Sequence, residues 1–210
     1  MIFIDRQDAG LKLAKALEKY KGEDAIVFAL PRGGVILGYE IAKKLGTPLD
    51  LIITKKIGHP VNPEYAIGAI AEDGPSFYNS NEVDNMNPKW LEEEEKSIRQ
   101  EIKRRREKYL GERKLYLVEG KTAIIVDDGV ATGLTLMAAI KEIKKRNPEK
   151  LIVAIPVTPY DTAQKLKKMV DELVSLDIDS FYLGSVGAYY EQFEQVEDEE
   201  VIKLLKSIEN

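Results

Sequence analysis

The chain has no cysteine and only one histidine, His59, among its 210 residues. Disulfide bonds, thiolate nucleophiles and cysteine-based zinc sites are therefore excluded, and so is a histidine-rich metal centre. The absence of cysteine, a thermolabile residue, accompanies a charged fraction of 32%, which consists mostly of Lys, Arg and Glu. These two features together hint at a thermophilic source.

The sequence also lacks an apolar run long enough to span a membrane, and its N-terminus has no signal-peptide pattern. These absences predict a soluble, cytoplasmic protein. Positive charge is in deficit as well, because 31 Lys and Arg stand against 36 Asp and Glu, which gives a formal net charge of -5. The acidic balance argues against a broad nucleic-acid-binding surface, although a local basic patch is compatible with it.

Apolar runs alternate with helical patterns along the chain, and its length suits one domain with a full core. The predicted strands cover residues 25–30, 49–54, 123–126, 151–157 and 173–176. The predicted helices cover residues 5–20, 35–45, 88–110, 134–146 and 159–170, with a last helix from Asp198. Because strands that alternate with helices form parallel sheets, we expect an α/β fold with helices on both faces.

Two segments between these elements have an unusual composition. Residues 58–74 are rich in Gly, Pro and Asn, which predicts a long mobile loop of the kind that closes over binding sites. His59 lies in this loop, as either a solvated residue or a catalytic group. The helix predicted over 88–110 carries a basic run at 103–106, which we interpret as a solvated face rather than a polyanion-binding one.

The stretch AIIVDDGVATGLT at residues 123–135 has the pattern of a ligand-binding turn. A buried strand ends at two acids, Asp127 and Asp128, and a turn of small residues then leads into a helix. Free backbone N–H groups and the helix dipole at such a turn attract anions, and Thr132 and Thr135 add hydroxyl donors. Acids beside an anion cradle suit a sugar phosphate. The plain alternative is a strand end with a solvated acid pair and a helix cap.

A second turn, Pro31-Arg32-Gly33-Gly34, directly follows the strand predicted over 25–30. Its glycines let a backbone approach a ligand closely, and its arginine offers a forked donor to phosphate. Both turns follow strands, and ligands bind at the carboxyl ends of strands in α/β sheets. Taken alone, this second turn is equally compatible with an ordinary strand–helix connection.

The pattern at 123–135 resembles the signature of the type I phosphoribosyltransferases: four apolar residues, two acids, two further residues, then A-T-G-x-T. The P-R-G-G turn resembles that family's pyrophosphate loop. Lys-x-Gly-x-Pro at 56–60 is similar to the start of the flexible loop in adenine phosphoribosyltransferases. With F-x-D-R-x-D-A-G at 3–10, these motifs resemble an uncharacterised subgroup of the family, and the resemblance covers nearly the whole chain.

This resemblance implies the type I phosphoribosyltransferase fold, a parallel sheet with helices on both faces and a small C-terminal hood lobe. It implies one domain over residues 1–210, with a core over 22–176, a hood over 177–210, and the N-terminal helix at 5–21 packed nearby. The implied reaction transfers phosphoribosyl from 5-phosphoribosyl 1-pyrophosphate to a nitrogenous base and releases pyrophosphate. The implied cofactor is Mg²⁺, and the implied assembly is a homodimer.

The resemblance also implies roles for the residues of the signature. The 5-phosphate would lie on Ala131, Thr132, Gly133, Leu134 and Thr135. Asp127 and Asp128 would hold the ribose hydroxyls, stabilise positive charge at the anomeric carbon, and bind Mg²⁺ directly or through water.

The remaining implied site residues lie outside the signature. Arg32, Lys56 and the Gly33 amide would neutralise the leaving pyrophosphate, with Gly34 beside them. Glu64, in the loop at 58–74, is a candidate proton donor or acceptor. Closure of that loop would keep water from hydrolysing the donor.

The acceptor base is the least defined part of this interpretation. Ala131 stands where the 6-oxopurine phosphoribosyltransferases carry an Asp that contacts the purine, which argues against hypoxanthine or guanine. Five aromatic residues of the tail offer surfaces on which a base could stack, although we expect most of them in the core of the hood. They are Phe181, Tyr182, Tyr189, Tyr190 and Phe193.

Two other functions fit the same motifs. One is a non-catalytic sensor of this fold, which binds the sugar donor or a nucleotide and regulates a partner or RNA. The other is a ribose-phosphate pyrophosphokinase, which we rank third because such chains are longer and have two domains.

Overall fold

The apolar runs and helical patterns form eight strands and six α-helices in the computed structural model, which describes residues 1–79 and 83–208. The strands are β1 Ala25–Ala29, β2 Leu49–Leu51, β3 Lys55–Gly58, β4 Ala66–Ile70, β5 Phe77–Tyr78, β6 Thr122–Val126, β7 Lys150–Pro159 and β8 Glu172–Asp179. The helices are α1 Arg6–Ala16, α2 Gly33–Leu45, α3 Pro88–Leu110, α4 Leu134–Lys145, α5 Tyr160–Lys167 and α6 Asp198–Ile208.

Five strands form a parallel sheet in the order β2-β1-β6-β7-β8. The register places Val27 of β1 beside Leu49 on one side and Ile124 on the other. Every residue of β1 and β6 is buried, as expected for strands covered on both faces. The α/β architecture predicted from the alternation of strands and helices is confirmed.

Helices cover both faces of this sheet. Successive side chains of a strand point to opposite sides, so each buried strand contributes apolar side chains to both faces. Val27 of β1 lies in one core with Leu37 of α2. Its neighbour Phe28 lies in the other core with Ile140 of α4. The hydrophobic cores therefore fill both sides of the sheet and leave its carboxyl edge for polar residues.

A second, antiparallel sheet of β3, β4 and β5 corrects two expectations. The strand predicted over 49–54 ends at Leu51, and Lys55–Gly58 belongs to the second sheet. The loop predicted over 58–74 contains β4. The glycine content of this segment led to the prediction of a loop. Gly68 is nevertheless required in the strand, because a Cβ at this position would lie 2.6 Å from Tyr78 Cδ1.

Most helix boundaries follow the capping residues of the sequence. Asp5 caps α1 by accepting a hydrogen bond from the Asp8 N–H at 2.7 Å, and Asn87 caps α3 in the same way. The helix α1 ends at Ala16, earlier than predicted, because Glu18–Tyr20 forms a tighter 3₁₀ turn. Elsewhere, α5 is shorter and β8 is longer than predicted, as β8 pairs with β7 along its length.

The helix α3 is only partly the solvated helix that its charge predicts. Arg106, from the basic run, donates to Asp50 Oδ1 and to Glu72 Oε1, both at 2.9 Å. Asp50 is fully buried, and a buried carboxylate needs such a partner. Burial raises the pKa of Glu72, while Arg106 opposes that shift. The interpretation of 103–106 as a solvated face is therefore wrong at Arg106.

Within the described ranges, no helix has the length and apolarity needed to cross a membrane.

The C-terminal segment packs against the N-terminus of the chain. Phe3 forms a bridge with Tyr190, and its N–H donates to the Tyr189 carbonyl at 2.8 Å. Both tyrosines are buried, and they share one core with Val201 and Leu205 of α6. This arrangement brings residues from both ends of the chain to the carboxyl edge of the main sheet. The division into a core and a hood stays a prediction.

Candidate functional site

The two turns singled out in the sequence meet at the carboxyl ends of the adjacent strands β1 and β6. The Leu30 N–H donates to the Val126 carbonyl at 2.9 Å, which carries the strand pairing to its end. A Cβ atom added to Gly33 would lie 1.9 Å from Asp128 Oδ2, and one added to Gly34 would lie 2.8 Å from the Val126 carbonyl oxygen. The contact between the turns therefore requires both glycines.

The paired acids, Asp127 and Asp128, lie at this contact. The Asp128 N–H donates to Asp127 Oδ1 at 2.9 Å, which fixes the first carboxylate against the backbone. Burial of the Asp127 carboxyl raises its pKa well above the ordinary value, and the neighbouring Asp128 charge raises it further. Asp127 therefore holds a proton more readily than an ordinary aspartate does.

Arg6 of α1 is a site residue that the motif analysis left without a role. Its Nε donates to Asp128 Oδ2 at 2.7 Å, and its Nη1 donates to the Glu194 carbonyl at 2.7 Å. The guanidinium lies over the Phe193 ring, with 3.7 Å from Cζ to the ring centroid. Its only signal in the sequence was its place in the F-x-D-R-x-D-A-G stretch.

Tyr190, from the C-terminal segment, holds the backbone of Asp128. Its hydroxyl donates to the Asp128 carbonyl at 2.6 Å, and its ring lies 4.8 Å from that of Phe193. Burial, with the Asp128 charge, raises the pKa of Tyr190 far above its ordinary value, so the phenol remains a neutral donor. Tyr190 is thus a structural member of the site rather than a surface on which a base would stack.

The other tail aromatics divide between core and surface. Tyr189 is buried, and Tyr182 stacks on it with 5.4 Å between ring centroids. Phe181 is 88% exposed. Val186 covers Gly129, since a Cβ on that glycine would lie 2.5 Å from Val186 Cγ1. The segment therefore reaches the signature turn, and Phe181 is its freely accessible aromatic ring.

The signature turn itself has the form of an anion cradle. Gly129 and Gly133 have φ of 149° and 80°, values that favour glycine. Gly133 begins α4 without a side-chain cap, so the first N–H groups of the helix lack intrahelical partners. The Thr162 hydroxyl donates to the Ala131 carbonyl at 2.8 Å, while Ala131 and Thr132 are exposed. Residues 131–133 thus form a loop with two exposed residues, and Leu134 and Thr135 begin the helix that follows it.

Arg32 lies in the second turn, but its side chain is directed to α6. Its Nη1 is 3.8 Å from Glu197 Oε2 and 3.9 Å from Asp198 Oδ1. The peptide between Pro31 and Arg32 is cis. The predicted role of Arg32 at a leaving group stays a prediction, and in this arrangement its guanidinium is paired with carboxylates of the C-terminal segment.

Three predicted residues lie on the β3–β4 hairpin and outside this cluster. Lys56 and Glu64 are exposed, at β3 and in the connection that follows it. His59 Nδ1 accepts from the Val61 N–H at 3.2 Å, and the His59 N–H donates to the Tyr65 carbonyl at 2.8 Å. These bonds favour a local structural role for His59.

The acid pair fits a magnesium ion only as part of a shared coordination shell. No group of three or more His, Asp or Glu side chains in the described part of the chain is arranged to hold a metal ion. Mg²⁺ keeps several waters and is commonly held by one or two carboxylates together with substrate phosphates. Asp127 and Asp128 supply that partial donor set.

Residues 6–192 match the family described as the phosphoribosyl transferase domain. Two Mycobacterium tuberculosis proteins, from strains CDC 1551 and H37Rv, are each 36% identical to the chain over 206 residues. Each is named as a "putative phosphoribosyl transferase". The match spans 97% of this chain and 46% of each relative, so the chain spans less than half their length.

Solved structures show the same likeness. A Thermus thermophilus protein is 36% identical, with a TM-score of 0.84 and coverage of 99% of both chains. A Neisseria gonorrhoeae protein solved with bound ppGpp is 12% identical, with a TM-score of 0.50 and coverage of 98% of this chain and 96% of that one. At this identity the second likeness shows the fold alone. The fold class predicted from the sequence is confirmed.

Proposed function

The chain belongs to the phosphoribosyl transferase domain family, as its motifs predicted, and we propose that it transfers phosphoribosyl from 5-phosphoribosyl 1-pyrophosphate to a nitrogenous base with Mg²⁺. The observation that carries this proposal is the contact between the two turns. Gly33 lies against Asp128 so closely that no side chain fits between them. This contact places the turn proposed for pyrophosphate beside the acids proposed for ribose.

The donor would lie along the carboxyl edge of the sheet. Its 5-phosphate would be bound by backbone N–H groups of residues 131–135, at the open N-terminus of α4. Its ribose hydroxyls would be held by Asp127 and Asp128. Both carboxyls lie beyond the end of β6, which gives the sugar an anchor on rigid elements.

The proposed reaction breaks the bond between the anomeric carbon and the pyrophosphate oxygen, and the bonding electrons leave with pyrophosphate. An acceptor nitrogen attacks from the opposite face and then loses its proton, for which Glu64 is the candidate acceptor. Asp127 and Asp128 would stabilise positive charge on the sugar. They would also hold Mg²⁺ directly or through water, and bound Mg²⁺ offsets the negative charge of pyrophosphate.

The leaving group needs cations from this chain as well. Arg32, Lys56 and the Gly33 N–H are the proposed donors, and Arg32 would exchange its present carboxylate partners for pyrophosphate. Lys56 lies on the β3–β4 hairpin, so its approach requires the hairpin to close over the site. Closure by residues 59–65, the connection between β3 and β4, would exclude water.

The test is pyrophosphate release from the sugar donor with Mg²⁺, across purine, pyrimidine and nicotinate-like acceptors. We expect release that depends on one acceptor, and a purine with an oxygen at C6 is not the expected one. Hydrolysis of the donor in the absence of any acceptor is the control. Acceptor-independent release at the same rate would contradict a transferase. We also propose that the protein is a homodimer and is cytoplasmic. Light scattering on the same sample measures its molar mass in solution and so tests the homodimer.

A sensor of the sugar donor or of a nucleotide is the second candidate, and one observation favours it. Arg6 already neutralises Asp128, and this ion pair reduces the negative charge available at the anomeric carbon. A sensor would bind the donor tightly in the presence of Mg²⁺ and release no pyrophosphate with any acceptor. Calorimetry of donor binding beside the release assay therefore separates the two functions.

A further inference from the structure

A basic pocket of about 390 Å³ lies between the second turn, the C-terminal part of α3 and the start of α6. It is lined by Arg32, Arg104, Arg105, Lys108, Tyr109 and Asp198. We name it the α3–α6 pocket. Its lining contains none of residues 131–135, which are proposed above for the 5-phosphate.

Positive charge in this pocket exceeds negative charge by a wide margin. Four cationic side chains line it together with one carboxylate, Asp198. Asp198 accepts from Lys108 Nζ at 2.5 Å and from the Tyr109 hydroxyl at 2.6 Å, so its oxygens are already engaged. Glu197, which pairs with Arg32, offsets at most one more charge. An excess of positive charge remains in a chain whose net charge is -5.

The helix α3 holds these cations close together. Arg104, Arg105 and Lys108 fall within one turn of the helix, where like charges repel and destabilise it. Arg104 is exposed, and the acidic group whose charge interacts with Arg104 and Arg105 is Glu101, whose carboxylate is already hydrogen-bonded to Lys55. Arg105 Nη2 donates only to the neutral Tyr109 hydroxyl, at 3.3 Å. The Asp198 hydrogen bond raises the pKa of Lys108 and keeps it protonated.

A comparison within the same helix separates Arg104 and Arg105 from the arginines that pack α3 on the domain. Arg106 is paired with two carboxylates, and Arg99 donates to three backbone carbonyls. The arginines that α3 uses to pack on the domain are therefore fully engaged. Arg104 and Arg105 have no such carboxylate or carbonyl partners among the described residues. Arg105 contacts the hydroxyl and ring of Tyr109, which are neutral, so both guanidinium groups keep donors for an anion.

We propose that the α3–α6 pocket binds a phosphate-rich anion with adjacent phosphate groups, either inorganic or carried by a nucleotide. Several cationic groups in a concave site suit adjacent phosphates better than a single carboxylate. Arg32 belongs both to this pocket and to the turn beside Asp128. If the proposed function holds, an anion in the pocket would therefore compete with pyrophosphate for Arg32 and inhibit the transferase.

The test measures binding of inorganic tripolyphosphate by calorimetry, with EDTA and without sugar donor. The variant Arg104→Gln/Arg105→Gln removes two cations, and Lys103→Gln removes a neighbouring exposed cation on another face of α3 as the matched control. We expect affinity to fall about tenfold or more in the double variant and to stay at the wild-type value in the control. Unchanged affinity in the double variant, or an equal loss in both variants, would overturn the proposal. Thermal unfolding verifies that each variant folds.

A second arm distinguishes the source of the phosphates. A nucleoside triphosphate that binds more tightly than tripolyphosphate, and loses affinity in the double variant, indicates a nucleotide; the reverse order indicates an inorganic anion. Absence of binding by either probe to the wild-type protein refutes the site. Because these measurements need neither Mg²⁺ nor turnover, they fail independently of the proposed function, whose own test is pyrophosphate release.

Discussion

Replacing Arg6 by methionine is the sharpest perturbation that this site offers. The Arg6–Asp128 pair is short, at 2.7 Å, and its side chains are only 11% and 17% exposed, so solvent screens it weakly. A charge-assisted hydrogen bond of this kind contributes about 1.5–3 kcal/mol, and the contact with Phe193 adds about 0.5–1 kcal/mol. Methionine keeps much of the apolar contact and loses the charge. We therefore expect the free energy of unfolding to fall by about 2 kcal/mol.

The same replacement changes the dependence of stability on pH. Burial and Asp128 raise the pKa of Asp127, whereas Arg6 lowers it, so the pKa rises further in Arg6→Met. A folded-state pKa above the unfolded value means that the folded protein holds the proton more tightly. The corresponding stability is present below the unfolded pKa and is lost as pH rises through the folded pKa. The variant should lose stability with rising pH over a wider range than the wild-type protein.

Urea unfolding at several pH values between about 5 and 9 measures both effects. Arg6→Lys is the matched control, because it keeps a positive charge but cannot reproduce the bonds to Asp128 and Glu194 together. We expect Arg6→Lys to lie between the wild-type protein and Arg6→Met. If Arg6→Met unfolds within about 0.5 kcal/mol of the wild-type value and shows the same pH profile, the reasoning that this ion pair organises the acids is refuted.

Three further replacements test the site. Gly33→Ala places a methyl group 1.9 Å from Asp128 Oδ2, so the Asp128 carboxylate or the turn itself must shift; we expect pyrophosphate release to fall at least about a hundredfold, and normal release would contradict the proposed contact. Tyr190→Phe removes the hydrogen bond to the Asp128 carbonyl at 2.6 Å; it should lower the free energy of unfolding by about 1 kcal/mol, a loss that urea unfolding would detect and that Tyr160→Phe, on an exposed ring, should not show. Asp127→Asn with Asp128→Asn should abolish pyrophosphate release while circular dichroism shows a folded protein; unchanged release would remove both acids from the proposed site.

The sequence predicts those parts of the site whose residues are close together along the chain. Asp127, Asp128 and the loop after them lie within one strand–turn–helix unit, and strand pairing places Gly33 beside them. The sequence also predicts the parallel sheet, because continuous apolar runs of β-branched residues favour buried strands. In each case the interactions that determine the structure act between residues close in sequence, so the local sequence pattern is enough to predict it.

The parts that the sequence did not predict depend on distant partners. Arg6 and Asp128 are 122 positions apart, and Arg106 and Asp50 are 56 positions apart. A lone arginine on a charged helix has the same appearance whether it is solvated or buried in an ion pair. The strand β4 was missed for a related reason: Gly68 lowers strand propensity locally, whereas packing against Tyr78 requires it.

The C-terminal segment at residues 193–198 has a wider role than the cover for a base that the tail's aromatic content predicts. Phe193 and the Glu194 carbonyl hold Arg6, while Glu197 and Asp198 hold Arg32. One short segment therefore positions the cation beside the paired acids and also the cation of the turn proposed for pyrophosphate. Both arginines contact this segment, so we predict that its displacement changes the charge at the proposed ribose and pyrophosphate positions together. Asp198 belongs both to this segment and to the lining of the α3–α6 pocket, and through it we predict that an anion in the pocket affects the acids.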